Sequence, residues 1–411
     1  AFQHHDFRLY LASSLATNLG TQMLDVAVGW QIYATTHRAI DLGYVGLVQF
    51  IPALALSLVA GSVADHFNRA RVVAIANFVL AACAVALLSL TLRGFTSVAP
   101  TYVVLFFVGV ARVFDAPASQ ALVPSIVPAE HFPNAVTWSS TAWQTSTIVG
   151  PALGGLLYGV THSAVPVYVT CAVALTIAGI LCLIMRVGSE PKVAASPESE
   201  EVGWSKIVAG VRFVRTHPVI LHSVSLDLLA VLLGGATALL PIYAHDILKV
   251  DAWGLGLLRS APAVGAAAMA IALAYRPLVR NAGAIMLGAV GVFGAATIVF
   301  GISNYFPLSL FALMLLGASD MVSVVVRSTV VQLRTPDAMR GRVSAVSSMF
   351  IATSSDLGSL ESGLTAAWLG AMPAVVIGGV GTLVVVALYA FGTRALRNID
   401  RLDEPETPEM P

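Results

Sequence analysis

Long apolar stretches separated by short polar joints, many bearing glycine or proline, fill most of this chain. Twelve reach the length that a helix needs to cross a bilayer, about 20 residues. Their spans are 8–34, 42–64, 70–92, 100–123, 134–159, 164–186, 218–244, 254–275, 282–302, 306–331, 343–368 and 373–394. The longest hydrophilic interval, Val187 to His217, lies between the sixth and seventh; there SEPKVAASPESEE precedes the amphipathic segment GWSKIVAGVRFV. The pattern predicts an N-terminal six-helix bundle (1–187), a cytoplasmic linker with a short amphipathic helix (188–217), a C-terminal six-helix bundle (218–396) and a cytoplasmic tail (397–411). The opening AFQHHDFRLY runs into the first apolar stretch without a small-residue cleavage site, so that stretch reads as a retained helix.

Composition narrows the class further. Of 411 residues, 57% are hydrophobic and 11% charged, against about 25% charged in a soluble domain. This excludes a water-soluble globular protein. Lys and Arg together number 22, as do Asp and Glu, so no basic surface exists to drive nucleic-acid binding. Cys83, Cys171 and Cys182 sit inside apolar runs and read as core-filling residues, without a disulfide framework or metal-ligand spacing. The basic residues divide unevenly between the two sides of the predicted spans. Sixteen fall on the side of the N-terminus; Arg38, Arg93, Lys249 and Arg259 fall on the other, and Arg112 and Arg327 lie within helices. The positive-inside rule then places both termini in the cytoplasm.

The two halves are repeats of each other. At an offset of 210, Ile32-Tyr33-Ala34, Asp41, Gly46-Leu47 and Pro52-Ala53 match Ile242-Tyr243-Ala244, Asp251, Gly256-Leu257 and Pro262-Ala263. At an offset of 208, Gly109, Pro128, Gly150 and Gly155 match Gly317, Pro336, Gly358 and Gly363, and Arg112 falls on Asp320. Parallel six-helix halves related by an axis along the membrane normal form substrate sites at the repeat interface.

Two motifs carry a resemblance. The second predicted helix ends in Gly61-Ser-Val-Ala-Asp65-His-Phe-Asn-Arg69-Ala-Arg71, and the fifth contains Gly150-Pro151-Ala-Leu-Gly154-Gly155. The first resembles the G-x-x-x-D-x-x-G-R-[KR] loop of the major facilitator superfamily, and the second resembles its G-P-x-x-G-G antiporter signature. GASDMVSVVVRSTVVQLRTPDAMRGRVSAVSSMF and ARVFDAPASQALVPSIVP resemble the branch with the enterobactin exporter and macrolide-efflux proteins. The resemblance covers nearly the whole chain and implies an all-α polytopic membrane protein of the major facilitator fold, with twelve transmembrane helices in two pseudo-symmetric bundles. It also implies that Gly61, Asp65, Arg69 and Arg71 form a cytoplasmic gate in which Asp65 pairs with Arg69 or Arg71. Asn68 replaces the second glycine and is expected to tighten the turn less well; Ala70 shifts part of the charge to Arg71. Gly61 is expected to allow close helix approach. The helix 5 glycines also admit a plain small-residue packing role.

Ionisable residues at membrane depth are costly and point to function. They are Asp25, Arg112, Asp115, Asp227, Asp320, Arg327, Asp356 and Glu361, six acids against two arginines, which predicts an anionic interior. By the resemblance Asp25, Arg112, Asp227 and Asp320 line the central cavity, where proton coupling or substrate binding occurs. The alternative for each is an ion pair that holds helices together. Asp115, one turn from Arg112, can neutralise it. Trp138, Trp143, Gln144, Thr145 and Thr147 offer a ligand wall, or else an interface belt.

The expected function is secondary active transport by alternating access: a proton-coupled exporter of amphipathic small molecules such as drugs or siderophores. The alternative is an uptake symporter or facilitator for a metabolite or lipid-like solute. No H-E-x-x-H, G-x-S-x-G or Walker lysine supports an enzyme or an ATP-driven pump. The expected partners are a small-molecule substrate, protons and membrane lipid, with the chain a monomer in the bacterial inner membrane and no cofactor or metal.

Overall fold

The computed structural model describes residues 1–94, 97–185, 203–276 and 281–392. Among these residues it is helical, without strands. The first half forms α1 (His5–Thr36), α2 (Ala39–His66), α3 (Arg69–Leu92), α4 (Ala99–Ile126), α5 (Phe132–Thr161) and α6 (Val165–Ile184). After the amphipathic α7 (Gly203–Thr216) come α8 (Pro218–Leu233), the one-turn α9 (Leu240–Ile242), α10 (Ala252–Tyr275), α11 (Ala282–Ile302), α12 (Phe306–Arg334), α13 (Asp337–Leu369) and α14 (Ala371–Gly392). The described part of each predicted span falls on this helical framework, the seventh with an interruption. The linker stretch 188–202 and the tail 397–411 lie outside the described residues.

The seventh span departs from the prediction of one continuous helix. α8 stops before Gly234-Gly235; a 3-10 turn (Ala236–Leu239), α9 and a π turn (Tyr243–Ile247) follow. Paired glycines are poor helix formers and Pro241 lacks an N–H, so the ladder breaks there. Nine helical segments among the described residues are long and apolar enough to cross a membrane. α1, α5 and α13 fall outside that set although they have 32, 30 and 33 residues. They are the long helices richest in hydroxyl and charged side chains.

The chain separates into two compact units, Ala1–Ala194 with Leu239–Ser260, and Ala195–Ala238 with Ala261–Pro411. The first unit therefore takes in the π turn and the start of α10, which the sequence boundary had assigned to the second half. Within it α1 packs on α5 and α6, α3 on α4 and α6, and α2 on α4. Buried polar pairs rivet these contacts: Thr17 Oγ1 donates to Asn77 Oδ1 (2.6 Å) and the Tyr168 hydroxyl to Gln31 Oε1 (2.7 Å). In the second unit α11 packs on α12 and α14, and α8 on α13 and α14, around Ile220, Met286, Val330 and Val343.

The repeat reappears as packing within each unit. A Cβ at Gly109 would lie 2.8 Å from the Gln49 carbonyl and 3.2 Å from Pro52, which puts α4 directly on α2. Gly317 meets Pro262, the repeat partner of Pro52, in the same way on α10. Gly150 meets Gln22 on α1, and Gly358 meets Leu232 on α8, again equivalent positions. Small residues let backbones approach where lipid supplies no hydrophobic drive for helix association.

Candidate functional site

Asp25 lies on α1 about 30 Å along the axis from His5 and about 16 Å from Thr36. Its Oδ1 is 2.8 Å from Arg112 Nη2 on α4, and its Oδ2 is 3.8 Å from Arg259 Nη2 on α10. Arg112 Nη1 donates to Gln49 Oε1 on α2 at 2.9 Å. Four helical segments of the first unit therefore contribute to one polar cluster. Its side chains are 18% (Asp25), 35% (Arg112) and 33% (Arg259) exposed. One carboxylate between two guanidiniums presents both an acceptor and spare donors, a surface suited to a ligand carrying both types of group.

Arg259 corrects the sequence reading, which counted it among the charges outside the membrane helices. It sits two turns into α10 and faces Asp25. Its repeat partner at the 210 offset is Gln49, the other neighbour of Arg112, and that equivalence was the available signal. With Asp25 and Asp115 set against Arg112 and Arg259, the first unit's interior is balanced rather than anionic. Arg112 thus has its ion-pair partner within the first unit, Asp25. Asp115 accepts from Ser119 Oγ one turn on (3.3 Å).

In the second unit Asp227 on α8 forms a buried ion pair with Arg327 on α12 and accepts from Ser323 Oγ at 3.3 Å. Asp227, Ser319, Asp320 and Ser323 join Ala230 and Phe293 in lining a small cavity of about 10 Å³, water-sized. The structure thus brings Asp227 and Asp320 to one place. Glu361 is held by its own helix, accepting from Thr365 Oγ1 (2.8 Å). The Asp356 side chain lies outside the described residues.

The tryptophans do not form one wall. Trp138 and Trp143, five residues apart on α5, project about 140° from each other. Trp138 meets the Phe2 ring edge-on at 4.7 Å, whereas Trp143 is 54% exposed and Gln144 half-buried. Thr145 is exposed and Thr147 Oγ1 donates to the Trp143 carbonyl.

The loop between α2 and α3 has a geometry of its own. Asp65 is exposed, and its side chain makes no ion pair or hydrogen bond among the described residues, Arg69 and Arg71 included. Arg69 is occupied elsewhere: its Nε donates to the Ala64 carbonyl (3.3 Å) and its Nη1 to the Ala121 carbonyl (3.0 Å). Asn68, expected to loosen the turn, is the N-cap of α3, with Oδ1 accepting from the Arg71 backbone N–H at 3.1 Å. A Cβ at Gly61 would meet nothing within 4 Å, so no helix among the described residues approaches it closely. The helix 5 glycines are different. A Cβ at Gly154 would lie 2.9 Å from Met23 Cα on α1, and one at Gly155 would lie 2.8 Å from Gly256 Cα on α10. Ser260 Oγ donates to the Ile148 carbonyl (2.6 Å), one turn before the buried Pro151.

This chain is 23% identical over 402 residues to the staphyloferrin A transporter of Staphylococcus aureus, covering 95% of this chain and 97% of the relative. It is 24% identical over 392 residues to the enterobactin exporter EntS of Escherichia coli, covering 94% and 91%. Among solved structures, a bacterial homologue of the human lysosomal transporter Spinster superposes with a TM-score of 0.74 at 12% identity, covering 95% and 97%. A peptide transporter, POT, in complex with sulfate gives 0.73 at 11% identity, covering 97% and 96%. These likenesses agree on the fold, and a family profile described as transmembrane secretion effector matches residues 1–411. The helical repeat, the charges at membrane depth and the match along the whole length lead to one conclusion: the chain belongs to the transmembrane secretion effector family of the major facilitator superfamily, and it is an integral membrane transporter, not an enzyme.

Proposed function

We propose that this transporter exports an amphipathic small molecule of the siderophore class in exchange for protons, with Asp25 as the coupling carboxylate. The observation that carries this reading is the partly exposed Asp25 held between Arg112 and Arg259. A ligand that docks a hydroxyl or ammonium donor on Asp25 excludes a proton from the same carboxylate. Mutual exclusion at one site makes the two fluxes exchange. The guanidiniums of Arg112 and Arg259 then hold the ligand's acceptor oxygens. The relatives named for siderophores support the substrate class, and the Gly150–Gly155 signature supports exchange. The protein works as a monomer in the bacterial inner membrane with both termini cytoplasmic, as the distribution of Lys and Arg supports.

Everted vesicles with an acidified lumen test the proposal, using hydroxycarboxylate and catecholate siderophores, macrolides, dyes and lysolipids as probes. An exchanged substrate raises lumenal pH when added outside. Further acidification identifies symport instead, and no proton movement identifies a uniporter. Asp25→Asn is expected to abolish uphill accumulation while leaving substrate binding and exchange measurable; undiminished uphill transport in that variant removes Asp25 from the mechanism.

A further inference from the structure

At the C-terminal end of α1, opposite the end that carries Arg8, ligand-type side chains from two segments of the first unit meet. His37 caps α1 in the left-handed region (φ 49°), and His245 and Asp246 stand on the π turn. One ligand atom from each of the three lies within 4.8 Å of the other two. His245 Nδ1 is 2.6 Å from Asp246 Oδ1, and the Tyr33 hydroxyl donates to the other Asp246 oxygen. The two imidazole centroids are 5.3 Å apart, and the rings of Trp30 and Tyr33 flank His245 at 5.6 and 5.9 Å. A hydrogen-bonded latch accounts for Tyr33, His245 and Asp246. The His37 ring touches the Tyr33 and His245 rings, and its nitrogens make no side-chain hydrogen bond among the described residues.

We propose that His37, His245 and Asp246 bind one divalent transition-metal ion of the zinc class. Two imidazoles and a carboxylate are a donor set that such borderline ions take, with the fourth position open to water. Metal–ligand bonds of about 2.0–2.2 Å put tetrahedral ligand atoms about 3.3 Å apart. Rotation of the exposed His37 ring brings the third ligand in, and the ion takes the place of the hydrogen bond between His245 Nδ1 and Asp246 Oδ1, which move apart from 2.6 Å as the proton between them leaves. Tyr33 holds the Asp246 carboxylate from behind, as hydrogen-bonding partners do for ligands at metal sites. His37 and Asp246 are exposed and His245 is half-buried, so the ion enters from solvent without an opening step. Once bound it ties the end of α1 to Tyr243–Ile247. The site involves none of the residues assigned to the substrate, so it stands whether or not siderophores are exported.

The test is calorimetric titration of Zn²⁺ alone into the purified, tag-free full-length protein in detergent. One ion per chain is expected. His245→Gln and His37→Asn should each weaken binding at least about tenfold. His37→Asp, isosteric with His37→Asn and also tolerant of the left-handed backbone, supplies a ligand oxygen and should retain binding. His131→Gln, distant on the chain and outside the cluster, should leave it unchanged. Absence of saturable binding at one ion per chain overturns the proposal, as does equal affinity in wild type, His37→Asn and His245→Gln. Should His245→Gln fail to fold, the pair at exposed position 37 decides alone: equal affinities in Asn and Asp variants refute ligation by residue 37.

Discussion

Arg69 and Asn68 turn the loop between α2 and α3 into a structural joint. Arg69 bridges the last turns of α2 and α4 through two carbonyls, and the Asn68 side chain satisfies a free N–H at the start of α3. Asn68→Ala is therefore expected to lower stability by about 1 kcal/mol, and Asn68→Gly, which restores the superfamily glycine, by a few tenths. Thermal unfolding in micelles measures both; equal losses would deny the cap its role. The identity of these residues was plain in the sequence, but their bonding was not. A motif specifies residue types, whereas the Arg69 bridge depends on Ala121, 52 positions away. Arg259 shows the same thing at the polar cluster, because its meeting with Asp25 depends on how the start of α10 seats against α1.

At the scale of helices, glycines divide into those that carry a contact and those that do not. Gly154 presses on the α1 backbone at Met23, whereas Gly61 faces open space. Gly154→Leu should separate α1 from α5 and cost about 1–3 kcal/mol. Gly61→Ala should be neutral or stabilising by up to about 1 kcal/mol, since alanine is the better helix former. A paired unfolding measurement checks the contrast, and a larger loss at position 61 would reverse the assignment. Periodicity made the helices legible because each satisfies its own backbone and needs only local apolarity. The break at Gly234-Gly235 was readable in principle from two adjacent glycines and Pro241. The π turn that follows was not, since its geometry answers to packing rather than to any residue preference.

For the whole molecule, two units built from one repeat have diverged in their charges. The first gathers Asp25, Arg112 and Arg259; the second pairs Asp227 with Arg327 and leaves Asp320 at a small cavity. The proposed orientation is checked by labelling with a membrane-impermeant thiol reagent. The native cysteines are all buried and give little background. Gln3→Cys should react in everted vesicles and Arg38→Cys in intact cells; the reverse pattern would turn the molecule over in the membrane.

The apolar stretches that can form membrane helices, and the family, were legible in the sequence alone. Apolar length and residue pattern are properties of one dimension, and the bilayer acts on each helix separately. The helix 5 glycines and the membrane-depth acids were visible for the same reason, as small or charged exceptions in apolar runs. Only the tertiary structure decided which polar groups meet: Asp25 with Arg112 and Arg259, Asp227 with Arg327, and His37 with His245 and Asp246. Those pairings link positions 87 to more than 200 residues apart and depend on the rotation of each helix about its own axis. A turn of 100° per residue moves a side chain to another face, and close packing at Gly109, Gly154 and Gly317 sets that rotation through contacts no local window contains.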